Sequence, residues 1–129
     1  MPIYDQEGLK IQLTLARFED LREIPVSARA DTGCTEALLL RRDVGEGWPE
    51  AGEGVGHDQI YLADGSSLPV DVFNAFVWLP GQDRPKKPIA VFRFRTVGEK
   101  QETLIGIKWL QQYEFCVHQG RRVRLYGIE

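Results

Sequence analysis

The chain has 129 residues, of which 43% are hydrophobic and 27% charged, and its formal net charge is −3. These values are typical of a globular protein, so we expect a single domain over residues 1–129 that is large enough to bury its own core. The negative charge and the lack of a dominant basic cluster argue against nucleic acid as a partner.

Residue types and apolar runs bear on location and cofactors. The two cysteines, Cys34 and Cys116, do not form a disulfide framework and lack the spacing of zinc ligands. His57 and His118 are far apart in sequence, so we interpret them as surface or strand residues. No apolar run has the length of a membrane span, and the N-terminus lacks a basic and apolar leader. We therefore expect a cytoplasmic protein with no metal, no cofactor and no membrane partner.

The first half of the chain is predicted to hold three strands and a loop. Residues 8–15 alternate between apolar and polar, which is typical of a half-buried strand. Residues 24–30 read as a second strand. Residues 35–40 suit helix or strand, and we favour strand because a glycine precedes them and a Gly-rich segment follows. Residues 43–57 contain five glycines and are predicted to form a mobile loop, in which Trp48 is either an anchor or a lid.

The second half is predicted to consist mainly of hairpins. Residues 59–79 form one hairpin, with a turn at residues 63–66 in which Asp-Gly tolerates positive φ. Residues 80–85 connect a second hairpin, whose return strand covers residues 89–97. Residues 115–128 form the last hairpin.

Residues 104–113 are the one helix candidate, with Ile107, Leu110 and Tyr113 on a single face. Trp78 and Trp109 are predicted to be core or dimer contacts. About eight short strands and one short helix favour an all-β sandwich or a partly closed barrel.

The tripeptide Asp31-Thr32-Gly33 places a carboxylate on a tight turn between two predicted strands. A small hydroxyl and a glycine follow the carboxylate, which suits an aspartate exposed at the floor of a cleft. The same tripeptide is also ordinary turn chemistry, in which Asp31 caps its own backbone.

Four features follow one another in a fixed order: Asp-Thr-Gly after an apolar strand, a hairpin with the turn Leu-Ala-Asp-Gly-Ser, the sequence Leu-Ile-Gly before a short helix, and a terminal hairpin. This order resembles the retropepsin-like aspartic peptidases, most closely their small single-domain bacterial and archaeal members, over about residues 9–128. The resemblance implies an all-β closed barrel of short strands with one short C-terminal helix.

The resemblance also implies a chemistry. Asp31 would supply one catalytic carboxylate, and because the chain carries one such motif, the second would come from an identical copy in a two-fold homodimer. Two close carboxylates share a proton, so one activates water while the other protonates the substrate. We expect a homodimeric aspartic endopeptidase that hydrolyses extended segments of a peptide or protein. The alternative is a non-catalytic module that keeps the scaffold for peptide binding or dimerisation.

Supporting roles come from the same resemblance. Thr32 would brace the turn and reach the partner loop, and Gly33 would leave room for the substrate backbone. Ile105 and Gly106 would form the tight loop that supports the catalytic turn from beneath.

A flap is expected at the first hairpin, where it would close over an extended substrate and exclude water. Its substrate-binding residues would be Tyr61, Leu62, Ala63, Asp64 and Gly65. Tyr61 and Leu62 are expected as wall residues, and Asp64 is more consistent with a turn former than with a second acid.

Two positions depart from the family pattern. Arg29 stands where the family usually has an apolar residue; it would favour ionised carboxylates, select an acidic substrate side chain, or form an ion pair with Glu36 or Asp20. Cys34 stands where alanine is common, and it is either a small buried filler or an oxidisable thiol beside the site.

Overall fold

A computed structural model describes residues 2–18, 21–31, 33–45, 56–61, 65–98, 101–118 and 121–127. Strands account for 57% of these residues and helix for 4%, so the chain is mostly β-sheet, as predicted. The elements are β1 (Tyr4–Glu7), β2 (Lys10–Arg17), β3 (Glu23–Ala30), β4 (Leu38–Leu40), β5 (Gly56–Tyr61), β6 (Ser67–Trp78), β7 (Ile89–Phe94), β8 (Leu104–Ile105), α1 (Ile107–Leu110), β9 (Tyr113–His118) and β10 (Arg122–Gly127).

Six strands of the larger sheet form a closed ring. Their order is β2-β3-β8-β4-β7-β6, and β6 pairs back with β2, where Thr14 lies opposite Trp78. The predicted alternation of β2 is confirmed, because Ile11, Leu13 and Leu15 are buried inside the main core. Strand β5 extends the ring by pairing with β6.

A second sheet has three strands in the order β1-β10-β9. Val123 and Leu125 of β10 are fully buried and join the same core as the ring. Strand β1 is not predicted from the sequence, because Tyr-Asp-Gln-Glu offers little apolar alternation. It is held by β10 instead, with Tyr4 opposite Leu125.

The three predicted hairpins are confirmed with changed ends. Strands β5 and β6 are antiparallel, as are β6 with β7 and β9 with β10. The return strand β7 ends at Phe94 rather than at residue 97. The predicted loop 43–57 is wrong at its end, since residues 56–57 begin β5; Trp48 lies outside the described residues.

The predicted helix over residues 104–113 is wrong for most of its length. Leu104 and Ile105 form strand β8, which is parallel to β3 and antiparallel to β4. Only the single turn of α1 is helical, and Tyr113 already starts β9. Pairing with two strands distant in sequence therefore overrides the local helical pattern. In the same region, the strand predicted over residues 35–40 is reduced to β4.

Trp78 and Trp109 are buried, which agrees with their prediction as core residues. Across the described ranges, no helix has the length and apolar character required to cross a lipid bilayer.

Candidate functional site

Asp31 follows directly on β3 and opens a tight turn. Its backbone N–H donates to the Ile105 carbonyl at 3.0 Å, and its own carbonyl accepts from the Cys34 N–H at 3.1 Å. The side chain takes part as well, because Oδ1 accepts a hydrogen bond from the Gly33 N–H at 2.9 Å. This Asx-type contact fixes the direction of the carboxylate. Thr32 lies outside the described residues.

The turn is seated on the Ile105–Gly106 backbone. Gly106 N–H donates to the Ala37 carbonyl at 2.9 Å, and Ile107 N–H donates to the Cys34 carbonyl at 3.0 Å. A Cβ on Gly106 would lie 1.9 Å from the Glu36 carbonyl oxygen. Only glycine fits there, because the two backbones are in direct contact.

Ile105 completes this support from inside the core. It is fully buried and lies opposite Ala30 of β3 and Leu38 of β4. Strands β3 and β4, on either side of the Asp31 turn in the sequence, are thus paired with the same short strand β8.

A hollow of about 530 Å³ opens on one side of Asp31. We call it the hairpin hollow, because Ile60 and Tyr61 at the end of β5 also line it. Tyr61 is 78% exposed, and Leu39 contributes to the apolar floor. Tyr61 therefore lies where a wall residue was expected.

The rest of the expected flap is described only in part. Gly65 lies in the turn with φ +88°, the left-handed conformation for which the Asp-Gly pair is suited. Leu62, Ala63 and Asp64 lie outside the described residues.

A second hollow of about 420 Å³ is also lined by Asp31. We call it the arginine hollow, because Arg29 lines it together with Glu102 and three apolar side chains, Leu68, Phe94 and Leu104. Asp31 and Leu104 line both hollows. The Asp31 carboxylate therefore stands at the boundary of two adjoining depressions.

The charged side chains around Asp31 are arranged in pairs. Arg29 Nη1 donates to Glu102 Oε2 at 2.9 Å, and Lys108 Nζ donates to Glu36 Oε2 at 3.3 Å. Glu36, considered above as a partner of Arg29, thus pairs with Lys108 instead; Asp20 lies outside the described residues. The sequence did not predict Glu102 as a site residue, because it comes near Arg29 only through the parallel pairing of β8 with β3.

Cys34 lies in the wall of the hairpin hollow and is half-buried. Burial raises the pKa of its thiol; the hydrogen bond to the Glu36 carbonyl acts in the opposite direction, and the negative charges of Asp31 and Glu36 raise it further. The thiol is therefore neutral near pH 7 and is a poor nucleophile.

The donor set for a metal ion is sparse. Within the described ranges, no group of three or more histidine, cysteine, aspartate or glutamate side chains is close enough to hold a metal. The side chains of His57 and His118 are outside the described part of the chain.

Comparisons of the chain with protein-family models, with curated proteins and with solved structures found no match.

Proposed function

We propose that the chain is a retropepsin-like aspartic endopeptidase that acts as a homodimer and hydrolyses extended peptide segments with a water activated by two Asp31 carboxylates. In this proposal the closed ring of strands is the barrel of that fold. The observation that supports it best is the placement of Asp31, whose carboxylate lies at the boundary of two hollows on a turn seated against Gly106.

The need for a second copy follows from the other acids that line the hollows. Glu36 already binds Lys108, and Glu102 already binds Arg29. Each is thus engaged by a cation and is not positioned as a proton-sharing partner for Asp31. A two-fold axis beside the turn would bring in a second Asp31 instead, because an isologous interface places the same residue on both sides.

Such a pair of carboxylates can carry out hydrolysis without a covalent intermediate. The ionised carboxylate takes a proton from water as the water oxygen bonds to the peptide carbonyl carbon, and the protonated carboxyl gives its proton to the carbonyl oxygen. The tetrahedral intermediate then collapses: the ionised carboxylate takes the proton of one hydroxyl as the C=O bond re-forms, the C–N bond breaks, and the leaving nitrogen receives a proton from the other carboxyl.

Substrate binding would use the hairpin hollow. Strand β5 is the end strand of the larger sheet, and its last residues line this hollow together with residues of the Asp31 turn. An extended peptide between them could add its backbone to the exposed edge of β5, which would give affinity without requiring one sequence. Exposed Tyr61 would cover the bound segment.

Two features, an ion pair and a neutral thiol, favour aspartic chemistry over other uses of the site. Glu102 compensates the positive charge of Arg29, so the guanidinium is held by a counter-ion beside Asp31. The neutral thiol of Cys34 argues against a cysteine nucleophile in the same hollow.

The second candidate is a non-catalytic module that binds an extended peptide or dimerises. The hydrogen bond from Gly33 N–H to Asp31 Oδ1 favours it, because ordinary capped turns make the same contact. Under this alternative the wild-type protein binds peptides but leaves them intact.

A peptide-library digestion from acidic to neutral pH, read by mass spectrometry, decides between the two. We expect Asp31→Asn and Asp31→Ala to remain folded dimers by sedimentation and to lose at least about 10³-fold in cleavage rate. Asp83→Asn is the matched control, because Asp83 is exposed in the loop between β6 and β7. Cleavage by Asp31→Asn at the wild-type rate would exclude the peptidase proposal.

A further inference from the structure

The two hollows that meet at Asp31 differ in charge. The side chains that line the hairpin hollow include the acids Asp31 and Glu36 and, among the described residues, no lysine or arginine. The arginine hollow contains Arg29. Of the described residues that line the two hollows, Arg29 is thus the one cationic side chain.

Hydrogen bonds hold one wall of the arginine hollow in place, and apolar side chains form its floor. Gln101 holds the wall, because its Nε2 donates to the Thr96 carbonyl at 2.7 Å and its backbone N–H donates to the Gly98 carbonyl at 3.1 Å. Leu68, Phe94 and Leu104 form the apolar surface. A side chain that enters this hollow meets methylene and ring surface below and charged groups at the rim.

Arg29 is suited to bind a carboxylate at this rim. It precedes Asp31 by two positions in the sequence, and both residues line the arginine hollow. Its guanidinium carries five N–H donors, and the hydrogen bond to Glu102 uses Nη1. The Nε and Nη2 edge is the geometry that binds a carboxylate through two hydrogen bonds.

The contact with Glu102 is easily exchanged. The two side chains are 48% and 51% exposed, and half-exposed ion pairs contribute little to stability because water screens them. A carboxylate from a substrate can therefore share the guanidinium or replace Glu102 on it.

The geometry points to Arg29 as a specificity-determining residue that selects an acidic side chain of the peptide substrate in the arginine hollow. The methylenes of a glutamate would lie on Leu104 and its apolar neighbours while the carboxylate binds Arg29. Glu102 is a positioning residue: it holds the guanidinium in the empty site and competes with the incoming carboxylate. This inference rests on the proposed function, since it names the substrate class of the same site.

The test measures binding in the Asp31→Asn background, so that no peptide is cut. Fluorescent extended peptides that differ by one Glu or Gln, placed at each position in turn, are titrated by anisotropy. At one position or more we expect Glu to bind about fivefold tighter than Gln at low salt, with the preference falling as salt rises. In the same Asp31→Asn background, a second substitution Arg29→Met should remove the preference for Glu. A second substitution Glu102→Gln should increase that preference, because the carboxylate that competes for Arg29 is no longer present.

Arg41→Met is the matched control. Arg41 forms a similar half-exposed ion pair with Asp43 at 3.2 Å, away from both hollows, and its loss removes the same charge. We expect this variant to keep the Glu preference. A loss that is equal in Arg41→Met and Arg29→Met would overturn the inference, because it would reflect net charge alone. A preference for Gln at every position, a Glu preference unchanged in Arg29→Met, or no measurable peptide binding would overturn it too.

The result separates this inference from the proposed function. Cleavage by the wild-type protein without any Glu dependence would overturn the role of Arg29 and leave the peptidase proposal intact. A Glu preference that depends on Arg29, together with no cleavage by the wild-type protein, would support the role of Arg29 and overturn the peptidase proposal. If Arg29→Met fails to fold, the Glu102→Gln variant decides the matter, since it keeps Arg29 and a merely structural role would not raise the preference.

Discussion

Replacing Gly106 by alanine is the sharpest perturbation of the Asp31 turn. The new Cβ would lie 1.9 Å from the Glu36 carbonyl oxygen and 2.6 Å from that of Cys34. Both are backbone atoms, so neither can move away by rotating a side chain. Restoring an ordinary contact requires one backbone segment to retreat by about 1.5 Å, which a close-packed interior resists.

The expected cost can be worked from the contacts that are lost. Such a shift breaks the hydrogen bonds from the N–H groups of Gly106 and Ile107, each contributing about 1 kcal/mol, and adds about 1–3 kcal/mol of overpacking, for a total of about 3–5 kcal/mol. This is a large part of the free energy of unfolding of about 5–15 kcal/mol that is usual for a domain. The variant is therefore expected to unfold at a much lower denaturant concentration.

Urea unfolding followed by tryptophan fluorescence measures this cost, at one fixed protein concentration because a dimer's stability depends on it. Gly127→Ala is the control: its Cβ would meet only the end of the Ile3 side chain, at 3.2 Å, so we expect a loss below about 1 kcal/mol. Equal costs for the two variants would refute the close seating of the turn on Gly106.

Three further predictions test the site, the small sheet and the core. In a Cys116→Ser background, alkylation of Cys34 should be slower than that of free cysteine at pH 8 and should accelerate at higher pH, because its pKa is raised by burial. Asp5→Asn should lower the melting temperature at neutral pH; the hydrogen bond from Arg122 lowers the pKa of the Asp5 carboxyl, so its contribution is present above the ordinary value of 3.8 and is lost as pH falls through the lowered value. Ile105→Ala should cost about 2–5 kcal/mol in unfolding free energy, because Ile105 is fully buried.

Each of these has a clear contrary result. Alkylation of Cys34 as fast as that of free cysteine would mean that the thiol is neither buried nor near negative charge. A melting-temperature difference between wild type and Asp5→Asn that persists unchanged below pH 3 would exclude the ion pair as its source. Ile107→Ala, at a 38% exposed position, is the control for Ile105→Ala, and equal costs would contradict the burial of β8.

Local sequence patterns were sufficient to predict the strands whose apolar and polar residues alternate. The apolar alternation of β2 predicts its buried face because one side of that strand packs in the core. The glycines at 65 and 81 mark two hairpin turns, since both adopt the positive φ that glycine tolerates.

Long-range pairing could not be read in the same way. The sequence around Leu104 and Ile105 has a helical pattern, yet these residues form a strand that pairs with β3 and β4. The local sequence does not predict these pairing partners. Strand β1 is likewise fixed by β10 rather than by its own composition. Tertiary contacts decide such short segments.

In the candidate site, too, some features depend on adjacent residues and others on long-range pairing. The Asp-Thr-Gly turn is visible in the sequence, because its conformation depends on three adjacent residues. The pairing of Arg29 with Glu102 and the close approach of Gly106 to Glu36 are not visible, since they arise only when β8 is inserted between β3 and β4.

Mixing wild-type and Asp31→Asn protein tests most directly whether two chains make one active site. If each centre needs two Asp31 carboxylates, random exchange at equal amounts leaves about one quarter of the cleavage activity of the same total amount of wild-type protein, because only wild-type pairs are active. Mixing with Asp83→Asn should leave all of it. Activity of about one half, or no cleavage by the wild-type protein itself, would contradict the shared site.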